Sequence, residues 1–133
     1  MSASLRPSAS SRHAPPPGRL AVERRRDAGP GTVLLLLSGE LDHDTAAPLR
    51  NALEENSARG RLVVDCSGLG FCDSTGLNLL LRARLRHLAE GGRVDLAGLR
   101  PPVDRMFEIT GARQIFRVYE DAEIALRDRR SSA

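Results

Sequence analysis

The sequence predicts one α/β domain with a mixed, mostly parallel sheet of four to five strands and about four helices. Short apolar runs of strand length alternate with segments whose apolar residues recur at helical spacing. The chain has 133 residues, which suits one domain, and it contains no internal repeat. Because strands that alternate with helices are joined by right-handed crossovers, most of the sheet should be parallel.

The first two predicted strands form a hairpin, which makes the sheet mixed. Leu20, Val22 and Arg24 alternate with Ala21 and Glu23, the pattern of a half-buried edge strand. Residues 27–31 (DAGPG) are typical of a turn. Residues 32–37 (TVLLLL) are continuously apolar, which indicates a strand covered on both faces.

Two helices and a strand are predicted next. The first helix is capped by Asp44 or Thr45 and runs to about Ser57. Residues 61–65 (RLVVD) form a buried strand, and residues 74–90 form the clearest helix. The apolar stripe expected on this helix consists of Leu77, Leu80, Leu81, Leu85 and Leu88.

The C-terminal third predicts two short strands and two helices. Residues 93–97 form a strand, and Pro101 opens a short helix that Gly111 closes. Residues 114–118 form the last strand, and residues 121–129 form the terminal helix.

The predicted domain occupies residues 19–127. Residues 1–18 contain five Ser and four Pro with almost nothing to bury, so we expect a disordered Ser/Pro/Arg-rich tail. Residues 128–133 are expected to form a short C-terminal tail.

The basic residues exclude several classes of function. All 20 are Arg, so the chain lacks the Lys that P-loop NTPases, protein kinases and pyridoxal enzymes require. The net charge of +3 comes from the N-terminal region, because residues 32–119 carry eleven Arg and eleven acids. Together with an aromatic content of 3%, this argues against a nucleic-acid partner.

Cys66 and Cys72 do not have zinc-site spacing, and we interpret them as small buried residues in a reducing cytoplasm. No apolar run has the length of a membrane span or a signal peptide. We therefore expect a cytoplasmic protein with no metal, no cofactor and no membrane partner.

The segment from Gly68 to Gly76 (GLGFCDSTG) stands out because it joins a buried strand to the leucine-rich helix. Ser74 should lie near free backbone N–H groups at the helix start, and four interpretations compete. It could be a capping Ser, a nucleophile with His43 as its base, part of an aspartic-protease motif, or a phosphate acceptor. The nucleophile lacks a Gly-x-Ser-x-Gly elbow, and an extra residue separates Asp73 from the glycine that a protease motif needs.

A second polar segment follows residues 32–37 and should reach the same edge of the sheet. It reads SGELDHDT over residues 38–45, with acids at Glu40, Asp42 and Asp44. The later Gly and Glu of a calcium loop are absent, so spacing alone favours turn and capping roles.

Together, SGELDHDTA (38–46) and FCDSTGLNLLL (71–81) resemble the STAS domain of bacterial anti-sigma factor antagonists. The resemblance covers about residues 19–127. It implies that the chain binds an anti-sigma factor that is also a serine kinase, and so releases a sigma factor. It further implies that the kinase phosphorylates Ser74, that this blocks binding, and that a PP2C-type phosphatase reverses it.

The resemblance implies that Ser74 and the segment from Gly39 to Asp42 take part in partner binding, and the geometry of the helix extends this surface to its first two turns. Leu79 lies off the apolar stripe, so it could contact a partner or cover a neighbouring helix. The expected contact residues are Gly39, Glu40, Asp42, Asp73, Ser74, Thr75, Asn78, Leu79 and Arg82. The protein is expected to have no catalytic residues. The alternative is a non-switching STAS scaffold, or a subunit of a signalling or lipid-transport assembly.

Overall fold

A five-stranded sheet and five helices make up residues 18–128, the part of the chain that the computed structural model describes. The tail segments predicted within residues 1–17 and 129–133 lie outside these residues. In chain order the elements are β1 (Leu20–Arg25), β2 (Thr32–Leu41), α1 (Ala47–Glu55), β3 (Arg61–Cys72), α2 (Ser74–Ala89), β4 (Arg93–Ala97), α3 (Pro101–Thr110), α4 (Ala112–Ile115), β5 (Val118–Tyr119) and α5 (Ala122–Arg127).

The strands lie in the order β1-β2-β3-β4-β5. β1 pairs antiparallel with β2, with Leu20 opposite Gly39, and every other neighbouring pair is parallel. The predicted hairpin and the mostly parallel sheet are therefore confirmed. Because the parallel strands share one direction, the turns after β2 and β3 meet at one edge of the sheet.

The sheet has one thickly covered face and one thinly covered face. The main core lies between the sheet and α1 to α4, and it includes Leu35, Leu62, Leu80 and Phe107, which are all fully buried. On the other face α5 buries Ala125 against a smaller apolar cluster. No helix within residues 18–128 combines the length and apolar character needed to cross a bilayer.

Helix α2 approaches the sheet closely at Gly76. A Cβ atom on Gly76 would lie 2.5 Å from Leu41 Cγ, so the helix can approach this closely only with glycine at that position. Its buried residues are Gly76, Leu77, Leu80, Ala83 and His87. The predicted stripe was therefore wrong in its last two members, because Leu85 is 63% exposed and Leu88 is 45% exposed.

The helix ends also differ from the predictions. Ala46, and neither Asp44 nor Thr45, occupies the N-cap of α1, without a side-chain hydrogen bond. At the other end of α1, Arg86 donates hydrogen bonds to the carbonyl oxygens of Leu53 and Asn56. Arg86 therefore satisfies backbone acceptors that a helix end leaves free.

The last predicted strand was placed too early in the chain. Gln114 and Ile115 belong to the one-turn helix α4, and β5 covers Val118–Tyr119. Phe116 is buried beside Phe107, with the ring centroids 6.3 Å apart. This aromatic contact holds the segment before β5 on the helical layer, so the strand begins only after it.

Candidate functional site

The site lies on a two-stranded extension of the sheet. β4 pairs with β3 only as far as Asp65, whereas β2 and β3 continue together until Leu41 pairs with Cys72. Two register shifts occur along this extension, and Gly39 has a φ of 104°. Both strands are therefore longer than the strands predicted at residues 32–37 and 61–65, and they include much of the two polar segments. Glycine at the irregular positions lets pairing continue where the sequence shows no strand alternation.

Asp73 is the N-cap of α2 and binds both polar segments. Its Oδ1 accepts hydrogen bonds from the backbone N–H groups of Thr75 at 2.9 Å and Gly76 at 3.2 Å. Its Oδ2 accepts one from the backbone N–H of His43 at 3.3 Å. The cap thus fixes the start of α2 relative to the turn after β2.

Asp42 organises that turn. Its Oδ1 accepts hydrogen bonds from the backbone N–H groups of Asp44 and Thr45, at 2.9 Å and 3.0 Å. The Thr45 hydroxyl in turn donates to the carbonyl oxygen of Glu40 at 2.7 Å. The Asp42 carboxylate therefore stabilises the turn, which is the role that the sequence spacing favoured for this segment.

Ser74 is exposed and is the first residue of α2. We expected the Ser74 hydroxyl to lie near free backbone N–H groups. This was wrong for most of the first turn, because its N–H groups are already hydrogen-bonded. Asp73 Oδ1 already binds the Thr75 and Gly76 N–H groups, and the Leu77 N–H donates to the Asp73 carbonyl at 3.0 Å. The capping role that Ser74 could have filled thus belongs to Asp73.

The remaining predicted contact residues fall in two places. Gly39 and Glu40 are half-buried within β2. On α2, Asn78 and Arg82 are exposed one and two turns after Ser74, and Thr75 is half-buried. Ser74, Asn78 and Arg82 are spaced at four-residue intervals and so lie along one side of the helix.

Leu79 is half-buried in a groove between α1 and α2. It packs against the main core, and it also lines a cavity of about 190 Å³ together with Arg82 and Arg86 of α2 and Arg50 and Glu54 of α1. The two alternatives considered for Leu79 were a partner contact and packing against a neighbouring helix. The side chain packs against the core beside α1 and also remains partly open to solvent.

Phe71 is a candidate contact that the sequence predictions missed. It lies three residues before Ser74, pairs with Glu40 across the strand extension, and is 48% exposed. The sequence held a signal for it, because Phe71 stands between Gly70 and Cys72, outside every predicted strand and helix. Exposed aromatic side chains of this kind are common in protein interfaces.

The structure offers little for nucleophilic or metal chemistry at this site. Burial, together with a smaller effect of the nearby Asp73 carboxylate, raises the pKa of the Cys72 thiol to about 12. Burial also raises the pKa of Cys66 far above its usual range. Within residues 18–128 no hydrogen bond joins the His43 ring to Ser74, and no group of three potential metal ligands occurs.

The fold and the site together define an α/β domain that presents a serine at a helix start beside an acidic turn. The family model described as "Mlab, STAS domain" matches residues 25–118. This match covers more than half of the chain. The chain therefore belongs to the STAS domain family.

Individual relatives agree with this assignment. The chain is 31% identical over 99 residues to the anti-sigma F factor antagonist of Paenibacillus polymyxa, a match covering 72% of this chain and 85% of the relative. The crystal structure of an anti-sigma factor antagonist from Mycobacterium paratuberculosis superposes with a TM-score of 0.71 at 26% identity, covering 82% of this chain and 95% of the other. The unphosphorylated anti-sigma factor antagonist SpoIIAA superposes with a TM-score of 0.66 at 25% identity, covering 80% and 93%.

Proposed function

We propose that this protein is an anti-sigma factor antagonist that binds an anti-sigma factor and thereby frees a sigma factor. The observation that carries the proposal is the exposed Ser74 at the start of α2, in a family whose similar members are named as such antagonists. The protein acts by competitive binding, in the cytoplasm, and not as an enzyme.

Under this proposal the partner is also a serine kinase, and its substrate is the Ser74 hydroxyl. The hydroxyl is accessible, since Ser74 is exposed and no hydrogen bond of its side chain occurs in the described part of the chain. A PP2C-type phosphatase removes the phosphate and restores binding. Neither reaction requires a catalytic group or cofactor from this chain.

The arrangement around Ser74 explains how a phosphate would act. A phosphoserine carries about −1.5 to −2 charge at pH 7. The nearest helix N–H groups already bind Asp73, so they are not free to draw the phosphate into the fold. Asp73 and the Asp42 turn add like charge nearby. The phosphate would therefore stay at the surface, where it repels and obstructs a partner.

The proposed partner-binding surface runs from the Asp42 turn across Asp73 and Ser74 and along the exposed side of α2. It ends at Asn78, Leu79 and Arg82, beside the α1–α2 groove. A hundredfold loss of affinity requires only about 2.8 kcal/mol, which a new dianion against a packed interface can supply. No change of fold is needed.

Phosphate mapping tests the proposal. The purified chain is incubated with ATP and extract from cells that express it, and modified residues are located by mass spectrometry. We expect one phosphate on Ser74, which is absent in Ser74→Ala and retained in Thr75→Ala. The Thr75 variant is the matched control, because it removes the neighbouring hydroxyl.

Absence of phosphate on Ser74, in extract shown to contain active serine kinases, would contradict the switch. It would favour the alternative of a non-switching scaffold or assembly subunit, which binds its partners constitutively.

A further inference from the structure

A basic cleft lies at the end of the sheet opposite Ser74. It is formed where β2, β3 and β4 begin, and it has a volume of about 270 Å³. The full length of β3 separates its Arg61 from the turn that holds Asp73. The cleft is therefore distinct from the proposed partner-binding surface.

Three arginines line the cleft, and none of its lining residues is acidic. Arg59 is exposed, whereas the side chains of Arg61 and Arg93 are only 12% and 10% exposed. The other lining residues are uncharged, and several are glycines of the turns before β2, β3 and β4, namely Gly31, Gly60, Gly91 and Gly92. Guanidinium groups thus dominate the chemistry of the cleft.

One carboxylate beneath the cleft is shared by two of these arginines. Oδ2 of Asp95 lies 2.9 Å from Arg61 Nε and 3.0 Å from Arg93 Nε. A single carboxylate neutralises one charge, so Arg59, Arg61 and Arg93 with Asp95 leave an excess of two positive charges. Asp128, which follows α5, lies beside the same group, and its carboxylate accepts a hydrogen bond from the Tyr119 hydroxyl at 2.6 Å. Counting Asp128, the cluster still carries one positive charge.

Arg61 also retains an unused donor. Its Nη1 donates to the Asp128 carbonyl oxygen at 3.0 Å, but its Nη2 is buried and has no hydrogen-bond acceptor within the described residues. Buried donors in folded proteins are nearly always satisfied. A planar guanidinium with a spare donor is suited to binding an oxyanion.

We propose that this cleft binds a phosphate group, held by the guanidinium groups of Arg59 and Arg61. Arg61 lines the cleft, and its Nη2 is the guanidinium donor left for a bound oxyanion. Arg59 is free to close over it, because no hydrogen bond of its side chain occurs in the described structure. The phosphate is either the free ion or a monoester on another molecule.

Titration with inorganic phosphate tests the site. Phosphate is added to the full chain at constant ionic strength set with sodium chloride, and the amide resonances of Gly60, Gly91 and Gly92 are followed by NMR. The variants are Arg59→Gln, Arg61→Lys and the control Arg105→Gln, which removes the same charge from the exposed face of α3. We expect Arg59→Gln and Arg61→Lys each to weaken binding about tenfold, the loss of one charge-assisted hydrogen bond, and Arg105→Gln to leave it unchanged.

A parallel titration with O-phosphoserine separates the two sources. Tighter binding of inorganic phosphate supports the free ion, and tighter binding of O-phosphoserine supports a monoester. The proposal is overturned if phosphate and chloride produce the same shifts, or if Arg59→Gln and Arg105→Gln weaken binding equally. Arg59→Gln keeps the test valid even if Arg61→Lys disturbs the ion pairs with Asp95.

Discussion

Asp73 holds the backbone N–H of His43 at 3.3 Å with one carboxylate oxygen while its other oxygen caps helix α2. The turn after β2 and the helix that begins with Ser74 are thereby joined through a single side chain. Movement of either segment would disturb the other. The geometry around Ser74 consequently depends on Asp73 more than on Ser74 itself.

Replacing Asp73 should measure the strength of this link. We expect Asp73→Ala to lower the free energy of unfolding by about 1–2 kcal/mol, because it removes a helix cap. Asp73→Asn should lose less than half as much, since the Asn side chain caps nearly as well. Urea unfolding followed by circular dichroism provides both values. Equal losses in the two variants would show that the charge, and not the capping hydrogen bonds, stabilises this junction.

Phosphorylation of Ser74 should change the surface and not the fold. We expect the phosphorylated chain to keep its helical circular dichroism, with NMR shifts confined to residues near 42–45 and 73–79. The reason is that Asp73 already occupies the N–H groups of the first turn, so the phosphate has no need to enter the helix. Loss of helical signal or of core resonance dispersion would contradict a local mechanism.

Gly76 should be essential to the close packing of α2. Its substitution by Ala places a Cβ atom 2.5 Å from Leu41 Cγ and 2.9 Å from Cys72 Sγ, both in fully or largely buried side chains. Overpacking of this kind costs about 1–3 kcal/mol, which exceeds the gain of about 1 kcal/mol for Ala over Gly in a helix. We expect Gly76→Ala to lower the melting temperature.

Gly70→Ala is the matched control for that experiment. The nearest atom to a Cβ at Gly70 would be the Gly39 carbonyl oxygen at 3.8 Å, which is an ordinary contact. Calorimetry should therefore show little change for Gly70→Ala. An unchanged melting temperature for Gly76→Ala would mean that α2 can shift away from the sheet.

His87 is a buried base between α1 and α2. Its Nε2 lies 3.3 Å from Asn56 Nδ2 and its Nδ1 lies 2.9 Å from the Ala83 carbonyl oxygen. Since the amide nitrogen and the carbonyl are donor and acceptor respectively, these partners assign a neutral ring protonated at Nδ1. Burial lowers the pKa of His87 below its ordinary value of 6.5, the Arg86 charge lowers it further, and the Ala83 hydrogen bond opposes both.

Stability should therefore decrease as the solution becomes more acidic. Well above pH 6.5 the ring is neutral in both states, and the contribution of His87 is fully present. As pH falls below 6.5 the unfolded chain binds a proton that the folded chain resists, so stability is lost until the lower pKa of the folded state is passed. The slope reaches at most about 1.4 kcal/mol per pH unit.

Urea unfolding measured between pH 7.5 and about pH 5.5 covers the range in which the His87 contribution changes. Most carboxylates titrate at lower pH and stay ionised there. We expect His87→Gln to flatten the pH dependence, whatever its effect on stability at pH 7.5. His43→Gln is the matched control, because it makes the same substitution at an exposed position. The same slope in wild type and His87→Gln would show that another group is responsible.

The order of elements could be predicted because it depends on local composition. A continuous apolar run of strand length bounded by turn residues, such as residues 32–37, indicates a buried strand. The extent of each element could not be predicted, because it depends on contacts between distant segments. Ile115 is apolar enough for a strand, yet it lies in α4 because Phe116 packs on Phe107. Leu85 is apolar but exposed, because the close approach at Gly76 sets which side of α2 faces the sheet.

The site shows the same division. The resemblance of the DSTG segment directed attention to Ser74, and the structure places that serine on the surface. Sequence spacing could not show that Asp73 binds both segments, because the His43 N–H reaches it only through the pairing of Leu41 with Cys72. Phe71 was missed for a related reason, since its exposure follows from the length of the β2–β3 extension.

Competition binding with a purified anti-sigma factor kinase from the same organism is the most direct test of the proposed switch. The chain, its Ser74-phosphorylated form and Ser74→Ala are each titrated against the complex of that kinase with its sigma factor. We expect the unphosphorylated chain and Ser74→Ala to displace the sigma factor, and the phosphorylated chain to need at least a hundredfold higher concentration. Equal displacement by the phosphorylated and unphosphorylated chains would contradict the central claim.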